Sequence, residues 1–298
     1  MFHPAIKIIN VTSLQPVHGN ATINVNGPIG VFDSGIGGLS VLRHIRSYLP
    51  HEDLLYLADT DFMPIGSKPE HVIVARSLTI AEFLLARGAK TLVLACNTAT
   101  AAAIKGLREL YPDLPLVGVE PGLKPAAAQS QSRIVGVLAT ERTLDSAKFD
   151  QLRAQISAAT NVRFLPQACI GLADQVEKGA LDSAETAAMI KRYVAPLLEQ
   201  GADTLVLGCT HYPFVQPLID ACIRETTDRP IAIVDTGEAV ARQLQRLLTQ
   251  HQLERQPDHT GTLEGFTSGP ESALTGAFAK LLEIQPKVTQ ISLQHQPT

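Results

Sequence analysis

The chain has 298 residues, enough for one large or two modest domains with full cores. Hydrophobic residues make up 45% and charged residues only 18%, which excludes a disordered or tail-like protein. Lys plus Arg total 25 against 29 Asp plus Glu, a net charge of −4 with no basic block to neutralise a row of phosphates, so nucleic acid is not the expected partner.

Residues 1–26 bear Asn, Pro and His without periodicity and read as an N-terminal extension. They lack the basic segment and apolar stretch of a secretion signal, and no apolar run reaches the roughly 18 residues that cross a bilayer. The expectation is a soluble cytoplasmic protein with no membrane partner, in which Asn10-Val11-Thr12 and Asn20-Ala21-Thr22 match a glycosylation pattern by chance.

From there, short β-rich apolar runs at 29–32, 54–57, 92–95, 116–119, 134–138, 205–207 and 231–234 read as strands. Helical periodicity fills 70–87, 99–110, 184–199 and 237–249, and the Gln-rich tail from 285 to 298 is expected to fray. Continuous rather than alternating apolar strands imply burial on both faces. The expected class is therefore α/β with mostly parallel sheets, ligands sitting at the strands' carboxyl ends.

The chain echoes itself. Thr91-Leu92-Val93-Leu94-Ala95-Cys96 recurs as Thr204-Leu205-Val206-Leu207-Gly208-Cys209, and Ile29-Gly30-Val31-Phe32-Asp33-Ser34 is loosely matched by Val135-Gly136-Val137-Leu138-Ala139-Thr140. Buried-strand vocabulary alone can produce such echoes. Polar groups set these two apart: Asn97-Thr98 follows Cys96 and Thr210-His211 follows Cys209, where a packed structural cysteine needs neither. Cys222, in an expected helix, reads as packing, and Cys169 has no comparable polar company.

A cysteine between a strand end and a helix start meets unpaired N–H groups and the positive end of the helix dipole, which is expected to depress its thiol pKa. Two such thiols from two half-units suit removal of a proton from one face of a carbon and its return to the other, a racemisation or epimerisation. The carbanion-like state requires dense hydrogen bonding in a dry site. Ser34, Asn97, Thr98, Thr140 and Thr210 supply donors, with the N–H groups of Gly35, Gly37 and Gly38 expected to add to them. Asp33 and His211 stand beside the thiols as proton acceptors, and Asp33 also suits a helix cap. No lysine lies near these junctions to form a Schiff base, so no cofactor is expected. Gly35-Ile36-Gly37-Gly38-Leu39-Ser40 lacks the third glycine of a dinucleotide turn, and the histidines and cysteines show no metal spacing.

The stretches Ile29–Leu39, Ala95–Thr100 and Leu207–Pro213 resemble the three signatures of bacterial glutamate racemase, within a likeness running from about Gly27 to Leu282. That resemblance implies two facing, pseudo-symmetric α/β domains with the active site in the cleft between them. The first would be discontinuous, 27–119 plus 235–284, and the second 120–234. It implies interconversion of L- and D-glutamate, the latter a peptidoglycan precursor, with Cys96 acting on D-glutamate and Cys209 on L-glutamate. Asp33 and His211 would assist the thiols, and Glu177 matches a family acid near the second cysteine. Ser34, Asn97, Thr98, Thr140 and Thr210 would hold the amino and carboxylate groups, beside the loop Pro64-Ile65-Gly66, where the family usually has Pro-Tyr-Gly. Ala139-Thr140 for Gly-Thr and Cys169-Ile170-Gly171 for Cys-Pro are further departures. The expected partner is a small-molecule substrate, with a homodimer left open. Two alternatives remain: a racemase of aspartate or another amino acid on the same scaffold, and a non-catalytic thiol redox or binding protein.

Overall fold

A computed structural model describes residues 23–293. Residues 1–22 of the expected extension, both Asn-x-Thr sites and residues 294–298 lie outside the described residues.

The chain opens with β1 (Ile29–Asp33), α1 (Leu39–Tyr48), β2 (Leu54–Ala58), α2 (Glu70–Leu85), β3 (Thr91–Leu94), α3 (Asn97–Leu110) and β4 (Leu116–Gly118). It continues through α4 (Leu123–Gln129), β5 (Ile134–Ala139), α5 (Glu141–Leu144), α6 (Ala147–Thr160), β6 (Arg163–Ala168), α7 (Leu172–Glu177), α8 (Ala184–Glu199), β7 (Thr204–Leu207), α9 (Gln216–Thr226) and β8 (Ala232–Val234). Last come α10 (Gly237–Gln250), β9 (Leu263–Thr267), α11 (Glu271–Leu282) and β10 (Lys287–Gln290).

Two parallel sheets result, a six-stranded one in the order β10-β9-β2-β1-β3-β4 and a four-stranded one in the order β6-β5-β7-β8. β1, β2, β3 and β7 are buried along their whole length, which is why they read as unbroken apolar runs. The helices that cover them are amphipathic: α1 buries Leu39, Val41, Leu42 and Ile45 and turns Arg43 and Arg46 outward.

The sequence echo is a structural repeat. The order β2-β1-β3-β4 corresponds to β6-β5-β7-β8. The register corresponds as well, with Leu92 opposite Gly30 and Val93 opposite Val31 in one sheet, Leu205 opposite Gly136 and Val206 opposite Val137 in the other. Chance use of a common strand vocabulary does not produce matched registers.

Three strands were illegible in the pattern. β6, RFLPQA, is an edge strand, where Pro166 is tolerated and only Phe164 is well buried. β9 carries an exposed Glu264, and β10, its neighbour, forms the edge of the six-stranded sheet. The frayed tail expected from 285 gives way to β10 and to buried Ile291 and Leu293. Ile291 N–H continues the pairing to Thr267 O at 2.8 Å, and Arg76 Nη1 donates to Leu293 O at 2.7 Å.

At the amino ends of β2 and β3, away from the cysteines, Lys90 and Glu52 form a fully desolvated ion pair at 2.5 Å, and Lys90 Nζ also donates to Val25 O. No helix among the described residues is long and apolar enough to cross a membrane.

Candidate active site

Most of the functional side chains sit at or just beyond a strand's carboxyl end, where the chain turns into a helix, whereas Glu177 ends α7. Asp33 closes β1, Cys96 follows β3 and caps α3, Thr140 follows β5 and caps α5, and Cys209 follows β7. In parallel sheets these ends converge, and the repeat presents the two cysteines from equivalent positions.

Asp33 Oδ2 accepts the Gly38 N–H at 2.8 Å and the Gly35 N–H at 3.3 Å, while Oδ1 is buried with no partner. Gly35 and Gly38, expected to offer free donors to a ligand, spend their N–H groups on this carboxylate instead. Burial pushes the Asp33 carboxyl up to about 6, against the pull of His211 and the Gly38 N–H.

Cys96 Sγ lies 3.5 Å from Ser34 Oγ and accepts the Ala99 N–H at 3.5 Å. The helix start does not depress this thiol as expected. Burial, reinforced by Asp33, outweighs those two contacts and pushes it up to about 12, so Cys96 rests as a neutral thiol.

Cys209 has different company. Its Sγ lies 3.6 Å from His211 Nδ1, and His211 Nε2 lies 2.6 Å from Glu177 Oε1, which also accepts the Ile36 N–H at 2.7 Å. Burial disfavours the imidazolium, but Cys209 and Glu177 together override it and hold the His211 pKa well above its ordinary value. This approach explains the glycines. A Cβ on Gly35 would stand 1.8 Å from Glu177 Oε1, and one on Gly37 2.3 Å from His211 Nδ1. The glycine-rich turn is thus a backbone cradle for an acid–imidazole pair from the other sheet's helices, and Ser40 Oγ adds a 2.8 Å bond to Thr210 O.

Both cysteines line one cavity of about 230 Å³. Around it stand Ser34, Asn97, Thr98, Thr140, Thr210 and His211, with Pro64, Ile65 and Gly66 on one wall. Asp33 and Glu177 lie behind this lining. The cavity is smaller than the roughly 300–1,000 Å³ that hold drug-sized molecules, a size suited to a single amino acid. Asn97 Oδ1 and Nδ2 are both buried without partners, and buried polar atoms of that kind require a ligand or water. Among the described residues no Lys or Arg lines the cavity, and its uncharged polar side chains are hydroxyls, thiols and one amide, beside His211, Glu141 and Asp174. Ile65 is buried and packs into an apolar cluster of the six-stranded sheet.

Sequence reasoning missed Met63, Ser67 and Glu141 on the lining, and with them Cys169, Ile170, Gly171, Ala173 and Asp174. The last five follow β6, the strand hidden by its edge position. Read as a strand, it would have placed Cys169 at a carboxyl end like the other two thiols. Burial pushes the Cys169 thiol up, and its Sγ donates to Gln167 O at 3.5 Å. Cys222 is confined to α9. A larger cavity of about 400 Å³, between β4 and α10, holds none of the residues singled out from the sequence.

The model of a family described as Asp/Glu/hydantoin racemase matches residues 29–244. The chain is 56% identical to the glutamate racemase of Ectopseudomonas mendocina over 226 residues, 76% of this chain and 84% of that one. It is 49% identical to the glutamate racemase of Cupriavidus pinatubonensis over 276 residues, 92% of this chain and 98% of that one. Among solved structures, glutamate racemase isoform RacE1 from Bacillus anthracis superposes with a TM-score of 0.81 at 30% identity, covering 92% of this chain and 100% of that one.

Proposed function

Because the chain belongs to the Asp/Glu/hydantoin racemase family, we propose that it interconverts L- and D-glutamate by a cofactor-independent mechanism with two cysteine bases. The observation that carries the mechanism is the pair of sulfurs lining one amino-acid-sized cavity, each from the equivalent end of a repeated strand pair.

In the L-to-D direction, Cys209 takes the α-proton as a thiolate beside the His211 imidazolium, which Glu177 holds in place. Cys96, a neutral thiol at rest, gives a proton to the opposite face. The charge developing on the α-carbon spreads into its carboxylate, where uncharged donors strengthen as charge grows. Ser34, Asn97, Thr98, Thr140 and Thr210 fill that role. In the D-to-L direction Cys96 is the base, Asp33 drawing off its proton and Ser34 and the Ala99 N–H supporting the thiolate. The backbone N–H groups of Ile65 and Gly66, on the loop that Pro64 opens, are offered to the second carboxylate, a contact that isoleucine keeps in place of tyrosine.

The chain's division into 27–119 with 235–284 and 120–234 belongs to the same proposal, supported by the membership of the two sheets. So does a cytoplasmic location, where the D-glutamate made serves as a peptidoglycan precursor. Sedimentation distinguishes monomer from homodimer.

The test is racemisation by purified protein with no added cofactor, across a panel of glutamate, aspartate and other amino acids. Glutamate is the expected substrate, and Cys96→Ala and Cys209→Ala each abolish turnover. Normal two-way turnover by either variant sinks the two-base reading, and a preference for aspartate sinks the substrate assignment.

A further inference from the structure

Thr98 opens α3 beside the six-stranded sheet, and Thr140 opens α5 beside the four-stranded one. Their hydroxyl oxygens are 3.2 Å apart across the cavity lining. A third hydroxyl completes a triangle: Thr143 Oγ1 lies 3.0 Å from Thr140 Oγ1 and 3.4 Å from Thr98 Oγ1. Thr143 is 1% exposed and does not line the cavity, and its hydroxyl has no other protein partner among the described residues.

A hydroxyl has one proton to give and two lone pairs to receive. In the free protein the three hydroxyls close a ring, each donating once within it, and Thr140 Oγ1 also accepts the Thr143 N–H at 3.4 Å. A carboxylate arriving in the cavity needs the protons of Thr98 and Thr140 turned toward it, which opens the ring. Thr143 then keeps a proton of its own to donate to one of their oxygens. We infer that Thr143 is a positioning residue: by donating its proton to one of the two oxygens it holds both hydroxyls aimed at a substrate carboxylate in the complex. This rests on the glutamate reading of the cavity, and it concerns a residue that touches no substrate.

The test is steady-state kinetics in both directions on Thr143→Val, which keeps the shape and deletes the hydroxyl, and on Thr143→Ser, which restores it. Loss of one uncharged hydrogen bond predicts a KM raised about fivefold for both enantiomers, with kcat within about twofold of wild type. Ser returns KM to the wild-type value. Thermal melting accompanies each variant. A lower melting temperature with unmoved KM, or a Ser variant as impaired in KM as Val, overturns the inference. Should Val prevent folding, Thr143→Ala deletes the same hydroxyl without crowding, and the same KM criterion applies. Wild-type protein inert toward glutamate overturns the proposed function and this inference together. Active wild type with unmoved variants overturns the inference alone.

Discussion

Replacing Asp33 by asparagine removes a charge that the fold buries at the floor of the site. The Asp33 carboxyl is pushed from 3.8 to about 6, a value that already includes the pull of His211 and the Gly38 N–H. At about 1.4 kcal/mol per pKa unit, the ionised side chain costs about 3 kcal/mol of folding stability well above pH 6. The folded-state pKa lies above the unfolded one, so the contribution is favourable below about 4 and is lost as pH rises through 6. The replacement amide is nearly isosteric, keeps an oxygen for the Gly35 and Gly38 N–H groups, and never ionises. Asp33→Asn should therefore be more stable than wild type by about 3 kcal/mol at pH 8 and by roughly half that at pH 5. Urea denaturation across this range measures it. The same variant should lose about a hundredfold in kcat in the direction that uses Cys96 as base. A variant no more stable than wild type at pH 8, or one whose advantage does not change with pH, refutes the reasoning.

Glu177→Gln leaves an acceptor for the Ile36 N–H but no charge beside His211. The imidazolium then loses its proton at lower pH, so the alkaline limb of kcat/KM for L-glutamate should move down in pH and kcat fall about tenfold to a hundredfold. Arg142→Ala removes the 2.8 Å bond from Arg142 Nη2 to Lys68 O that ties α5 to the end of the Pro64–Lys68 loop; KM should rise about threefold with kcat retained, read from initial rates. Lys90→Met strands the buried Glu52 carboxylate and should destabilise by about 3 kcal/mol in urea titrations without altering kcat, and adding Glu52→Leu should recover most of the loss.

What was legible in the sequence followed from burial on both faces. IGVFD, TLVL and IVGVLA are central strands, so their apolar runs are continuous and their ends could be read off directly. The site residues that follow those ends, Ser34, Cys96–Thr98, Thr140 and Cys209–His211, came with them and meet at one cavity. Strands without an unbroken apolar run were not legible: β6 and β10, at sheet edges, carry Pro166 and a lysine start, β9 carries Glu264, and the lining after β6 was lost with it. Glu177 was found only through family resemblance. Its chemical setting depends on a contact 141 residues away in the chain, at the Ile36 N–H, which no local pattern encodes. The resting protonation of Cys96 was misjudged for a similar reason, since the helix start is local and visible while desolvation and the Asp33 carboxylate arise from packing.

Separate thiols serving the two faces of one stereocentre are the core of the proposed mechanism, and initial-rate racemisation in deuterium oxide tests them most directly. At low conversion of protiated L-glutamate, the D-glutamate formed should carry solvent deuterium at the α-carbon while the recovered L-glutamate keeps its protium, with the same pattern in reverse from D-glutamate. Deuterium entering the recovered substrate as fast as the product, or product that retains the original hydrogen, would mean that one base handles both faces and would contradict the assignment of Cys96 and Cys209.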